Sequence, residues 1–82
     1  MSIMKVEMHP VATHVEFTDA EMTVSLADGR IVSVPLAWFS SLSQASTEEL
    51  EDFELLGDGE GIHWATLDED LSVKGLLLGV HA

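Results

Sequence analysis

Residues 21–36 read EMTVSLADGRIVSVPL, two alternating apolar and polar runs on either side of Asp28-Gly29. No other stretch constrains the fold as much, because this pattern closes into a β-hairpin. Its register follows from which face can be buried. A two-residue loop of Asp28 and Gly29 sets Val24 opposite Ser33 and Ser25 opposite Val32, which mixes apolar and polar side chains on both faces. A three-residue loop, Ala27-Asp28-Gly29, sets Met22 opposite Val34, Val24 opposite Val32 and Leu26 opposite Arg30. Met22, Val24, Val32 and Val34 then share one face, and Thr23, Ser25, Ile31 and Ser33 share the other. A slip of one residue would move a whole apolar face into water, so the second register is expected. It requires a left-handed residue closing a type I turn with a bulge, and Gly29 stands there.

Pro35 cannot donate to a ladder and suits a first helical turn, so it marks a change from strand to helix. In LAWFSSLSQA (36–45), Trp38, Leu42 and Ala45 fall on one side and Phe39 lies three residues before Leu42, which predicts a short amphipathic helix. Ser46 and Glu49 in STEELEDF have the spacing of a capping box, with acids in the first turn where the helix dipole favours them. FELL (53–56) reads as a strand and IHW (62–64) as its antiparallel partner. GDGEG (57–61), with Gly57, Gly59 and Gly61, is the turn between them. LDED (67–70) is expected to be a turn, its aspartates bonding their own backbone. Ser72 is expected to cap a last helix, VKGLLLG, that Gly79 stops. Glycine inside a helix costs about 1 kcal/mol against alanine, so Gly75 predicts close packing on the sheet. Ahead of the hairpin, HVEF (14–17) reads as a strand and residues 1–10 as a loosely held lead-in or edge strand. Residues 11–82 are expected to form a single α+β domain, a small antiparallel β-meander of hairpins with two or three short helices packed on one face.

With 82 residues, the chain buries only about 60–65% of its unfolded surface. A core so thin favours added burial from a homo-oligomer or a bound partner. There is no cysteine, which excludes disulfides, thiolate chemistry and cysteine-built zinc sites. The N-terminal MSIMKVEMHP lacks the pattern of a secretory signal, and no apolar run is long enough to span a bilayer, so the expectation is a cytoplasmic protein with no membrane association.

Fifteen acids against three bases give a net charge of −12. Such a surface repels nucleic acid and anionic lipid and attracts a basic protein. The charge is uneven. Residues 1–47 hold five acids and residues 48–70 hold ten with no base among them. Glu48, Glu51, Glu54, Asp58, Glu60, Asp68, Glu69 and Asp70 therefore make a candidate interaction patch for a basic protein partner.

Other chemistries fit the sequence less well. Asp58, Glu60 and Glu69 match the first, third and twelfth positions of a calcium loop, but Ile62 replaces a ligand and His63 replaces the required glycine. His63 beside Asp68, Glu69 and Asp70 has the residue types of an acid–base site. In a strand, however, His63 points away from both Ile62 and Trp64, and turn carboxylates have local backbone roles. Trp38, His63 and Trp64 are the residues of an alternative small-ligand pocket or minor active site, although two tryptophans in so small a chain serve first as core anchors. His9 and His14 have no third ligand beside them. GDGEG carries acids where a phosphate would sit, and the serines at 40, 41, 43 and 46 have no evident base. The sequence thus assigns no catalytic, cofactor or metal residues, and assigns Gly29, Pro35, Gly57, Gly59, Gly61, Ser72 and Gly75 to structure.

The ordered series of a DGR turn, SVPLAWF, an acidic helix, FELLGDGEGIHW and LDEDLSVKGLL resembles domain-of-unknown-function family 2442, small bacterial α+β proteins, over roughly residues 11 to 79. The resemblance implies the fold and a bacterial origin, with no established activity. It implies also that some relatives carry an added helix-turn-helix domain, and that others pair with a second small domain in a toxin–antitoxin-like arrangement. The leading expectation is a non-enzymatic interaction or regulatory module.

Overall fold

The computed structural model describes residues 10–79. The lead-in expected over residues 1–10 lies almost wholly outside that range, as does His9. The described chain is α+β and forms two three-stranded antiparallel meanders. In the first, β1 (Ala12–Phe17), β2 (Glu21–Leu26) and β3 (Ile31–Pro35) lie in sequence order. A 3-10 turn (Leu36–Trp38), α1 (Ser40–Ser43) and α2 (Thr47–Glu51) follow. In the second, β4 (Glu54–Leu56), β5 (Gly61–Trp64) and β6 (Glu69–Ser72) lead directly into α3 (Val73–Leu77).

The central hairpin has the expected register, with Met22 opposite Val34 and Val24 opposite Val32. Leu26 N–H donates to Arg30 C=O at 2.8 Å, Gly29 N–H donates to Leu26 C=O at 3.0 Å, and Gly29 has φ +95°. Met22, Val24 and Val34 are buried and Val32 partly so, whereas Ile31 and Ser33 face solvent. The turn is fixed further by Asp28, which accepts from the Arg30 backbone N–H at 2.9 Å and from its guanidinium at 2.7 Å. The backbone N–H of Arg30 is the main reason that the Asp28 carboxyl is held below its ordinary range; the guanidinium adds to this and desolvation opposes it.

Three expectations are corrected. The single helix over 36–45 is two short pieces, because Phe39 between them is extended at φ −127°, ψ 105°. That break lets Phe39 and Leu42 both reach the core while Trp38 is left half-buried. Glu69 and Asp70 lie in β6, not in a turn. The turn covers 65–68 and ends at Asp68, whose φ of 53° is the one left-handed non-glycine among the described residues. Gly75 is not a packing glycine: a Cβ there would meet only the Ser72 side chain, at an ordinary 3.5 Å.

The close approach occurs instead at Gly59, where φ is +109° and a Cβ would overlap the backbone of Ala12. Ala12 N–H donates to Gly59 C=O at 2.7 Å, so the β4–β5 turn is fastened to the first strand of the other sheet. The capping box of Ser46 and Glu49 forms as expected, and Ser72 Oγ accepts from Gly75 N–H. Gly79 closes α3 at φ +80°.

One core joins the two sheets. Trp64, Ile62, Met22, Val24, Leu42 and Val73 are its most enclosed large side chains. Trp64 is 0% exposed, and its indole N–H donates to Leu50 C=O at 2.8 Å, which satisfies the ring's polar atom. Phe17 from the first sheet and Phe53 beside the second lie 6.4 and 6.3 Å from the Trp64 ring, centre to centre.

Candidate functional site

The acids expected to form the patch are set in place by the second sheet. Pairing of Glu54 with His63 and of His63 with Asp70 puts these three side chains in one row on the sheet's outer face. His63 Nδ1–H donates to Asp70 Oδ1 at 2.5 Å. The ring is 28% exposed and the carboxylate 69%, so the pair belongs to a wet surface, where an ion pair adds little to stability. Asp58 and Glu60 stand exposed in the β4–β5 turn and Asp68 exposed in the β5–β6 turn, and the Asp70 side chain, expected to bond its own backbone, meets His63 instead. Glu48 and Glu51 are exposed on α2, and Asp52 follows them.

Other acids of the segment also have partners within the protein, Asp52 accepting from Thr66 Oγ1 at 3.4 Å. Glu49 closes the capping box. Glu69 faces the inner side of β6 opposite Trp64 and accepts from Ser41 Oγ, which ties α1 to β6. Glu69 is half-buried, whereas Glu48, Glu51, Glu54, Asp58, Glu60, Asp68 and Asp70 all stand at or near the surface.

Trp38, His63 and Trp64 do not come together as one cavity. Trp64 is sealed in the core. His63, its neighbour along β5, lies on the opposite face, and Trp38 packs edge-on against Phe39 with ring centres 6.5 Å apart. Asp68, Glu69 and Asp70 also diverge: Asp68 to solvent, Glu69 to Ser41, Asp70 to His63. No group of three or more His, Cys, Asp or Glu side chains among the described residues is placed to hold a metal ion. No helix among them is long and apolar enough to cross a membrane.

The sequence gives no sign of the Ser41–Glu69 bond, which joins residues 28 apart in the chain. The His63–Asp70 pair is also missed when 67–70 is read as a turn, because the pairing exists only once β6 does. A surface depression of about 380 Å3 lies along β1, lined in part by Glu16, Phe17 and Glu51. It includes none of the tryptophans and none of the residues of β4–β6.

The family described as "Protein of unknown function (DUF2442)" matches residues 12–82. A crystal structure of a protein of unknown function from Rhodospirillum rubrum is similar to this chain at 36% identity, with a TM-score of 0.79, over 90% of this chain and 92% of that one. The solution structure of an uncharacterized protein from Chromobacterium violaceum is similar at 26% identity, with a TM-score of 0.73, over 88% of this chain and 68% of that one. No curated protein matches this chain.

Proposed function

This chain belongs to the family of proteins of unknown function DUF2442, and we propose that it acts in the bacterial cytoplasm as a non-enzymatic interaction module whose acidic surface docks a basic protein, as in a toxin–antitoxin-like pair. The observation that carries this reading is the placement of the acids of 48–70. Glu48, Glu51, Asp52, Glu54, Asp58, Glu60, Asp68 and Asp70 are turned outward, and no lysine or arginine lies among them. One-signed surface charge speeds encounter with the opposite sign and is screened beyond about 8 Å at physiological salt. The same field opposes duplex DNA, because an acidic face releases no counterions from it.

The test is surface capture of basic proteins from the native cell extract across a salt series, using the wild type and Glu48→Lys/Glu51→Lys/Glu54→Lys. Association should slow as salt rises and slow again in the variant, whose fold is expected to hold because these side chains are solvated. A rate indifferent to salt and to the reversals would remove the electrostatic basis. Tight binding of the isolated chain to duplex DNA at physiological salt would defeat the whole reading.

A further inference from the structure

The hydrogen-bond pattern of the first sheet fixes which way the backbone of β1 faces. Thr18 N–H donates to Glu21 C=O, and the register pairs Glu16 with Thr23 and His14 with Ser25. In an antiparallel ladder, bonded and non-bonded pairs alternate. Residues 14, 16 and 18 therefore bond to β2, while Val15 and Phe17 turn their N–H and C=O groups away from it. The start of the strand agrees with this assignment. Ala27 N–H donates to Val11 C=O, Ala12 faces outward, and its N–H is taken by Gly59. A bulge at Thr13 and His14, opposite Ser25, separates the two stretches. The outward N–H groups of Val15 and Phe17 donate to nothing among the described residues.

The 380 Å3 depression follows this same edge. It is lined by residues 14–17 of β1, by Thr18 just after the strand, by Thr23 and by Glu51 from the end of α2. Glu16, whose carboxylate lies 3.1 Å from the exposed His14 Nε2, projects on the outer face of the sheet beside Thr23 and Ser33, and Glu51 stands on the helix side, so a carboxylate flanks each side of the open edge. A helix packs against each edge strand, α2 against β1 and α3 against β3, but the outward positions of β3 end in Pro35, which has no N–H.

We propose that the open edge of β1 over residues 14–17 takes up an extended, lysine- or arginine-bearing segment of the basic partner as a fourth strand of the first sheet. This rests on the reading of the protein as an acidic interaction module and specifies how the partner is held. Backbone groups of Val15 and Phe17 supply the pairing, and Glu16 and Glu51 select cationic side chains on the two faces of the added strand. A second copy of this chain is the poorer occupant, since it would bring a net charge of −12 against −12 and set like charges across the new ladder.

The probe is an eight-residue peptide of alternating lysine and threonine, compared with the same peptide N-methylated at two alternating residues. N-methylation keeps the charge and removes backbone donors. Amide exchange and chemical shifts of the full chain are read by NMR at low salt. The unmodified peptide should slow exchange at Val15 and Phe17 about tenfold at saturation, and the methylated one should bind about tenfold more weakly, the effect of losing two net hydrogen bonds. Glu16→Lys/Glu51→Lys, altered at two exposed positions, should weaken the unmodified peptide by a similar factor. Equal binding of the two peptides, with shifts confined to residues 48–70, overturns edge pairing while the acidic-surface reading stands. Failure of both peptides to bind overturns the charge attraction on which both readings rest.

Discussion

The two sheets share one plan, three short antiparallel strands in sequence order followed by helix, yet they are held in opposite ways. The first has strands of six, six and five residues and a turn closed by its own residues, Asp28, Gly29 and Arg30. Its outer face carries a hydroxyl pair, Thr23 Oγ1 and Ser33 Oγ 3.0 Å apart, beside Glu16 and the exposed Ile31. The second has strands of three, four and four residues, too short to be stable alone. Its β4–β5 turn is bonded to Ala12, its tryptophan to Leu50, and its glutamate to Ser41, all outside the sheet. The first sheet is specified locally, and the second by what it touches. The same division separates the charge: apart from Glu48, Glu51 and Asp52 at α2, the outward acids of 48–70 stand on the sheet that needs support.

The sharpest way to break that contrast is to remove the tryptophan. Trp64→Ala should cost about 3–5 kcal/mol, since it empties a fully enclosed site and strands the Leu50 carbonyl. That approaches the whole stability of a small domain. Trp38→Ala, at a half-buried site, should cost well under that. Urea unfolding followed by far-UV circular dichroism compares them. Similar midpoints for the two variants would show that the second sheet does not depend on its anchor.

Two glycines sharpen the comparison further. Gly29 at φ +95° has open space where a methyl group would stand, with no atom within 4 Å, so Gly29→Ala meets only backbone strain, about 1–2 kcal/mol. Gly59 at φ +109° carries the same strain plus overlap with Ala12, so Gly59→Ala should cost about 3 kcal/mol. Thermal unfolding of the two variants should therefore rank Gly59→Ala below Gly29→Ala. The reverse order would mean that the clasp between the sheets yields easily.

What could be read in the sequence divides along the same line. The register of the β2–β3 hairpin, the capping box at Ser46 and the cap at Ser72 were legible because each is decided within a few residues. Strand β6 was not, because Asp68, Glu69 and Asp70 have turn propensity. Only the pairing of Ile62 with Leu71 and Trp64 with Glu69 makes a strand of 69–72. The exchange of roles between Gly75 and Gly59 has the same origin. A helix glycine looks costly from local propensity, whereas the need at Gly59 appears only when Ala12 arrives from the other sheet. The acidic face was legible as composition, but the inward turn of Glu69 depends on strand parity in β6.

The smallest expected effect tests the claim that the first turn is self-contained. The Asp28 carboxyl is held below its ordinary range in the folded state, first by the Arg30 backbone N–H and then by its guanidinium. A depressed folded pKa means that the charged form is favoured by folding. Its contribution is therefore complete above the unfolded value of about 3.9 and disappears as pH falls through the lower folded value. Asp28→Asn keeps an oxygen acceptor for the Arg30 N–H and removes the charge. The two proteins differ at this one group, so the difference between their unfolding midpoints reports on it. Wild type should exceed the variant by a small margin at pH 6, and the margin should close below pH 4. Added salt should shrink the margin at pH 6, because the pair is exposed and screened. A margin unchanged between pH 6 and pH 2 would mean that the turn owes nothing to the Asp28 charge, and that Gly29 and the ladder alone set its geometry.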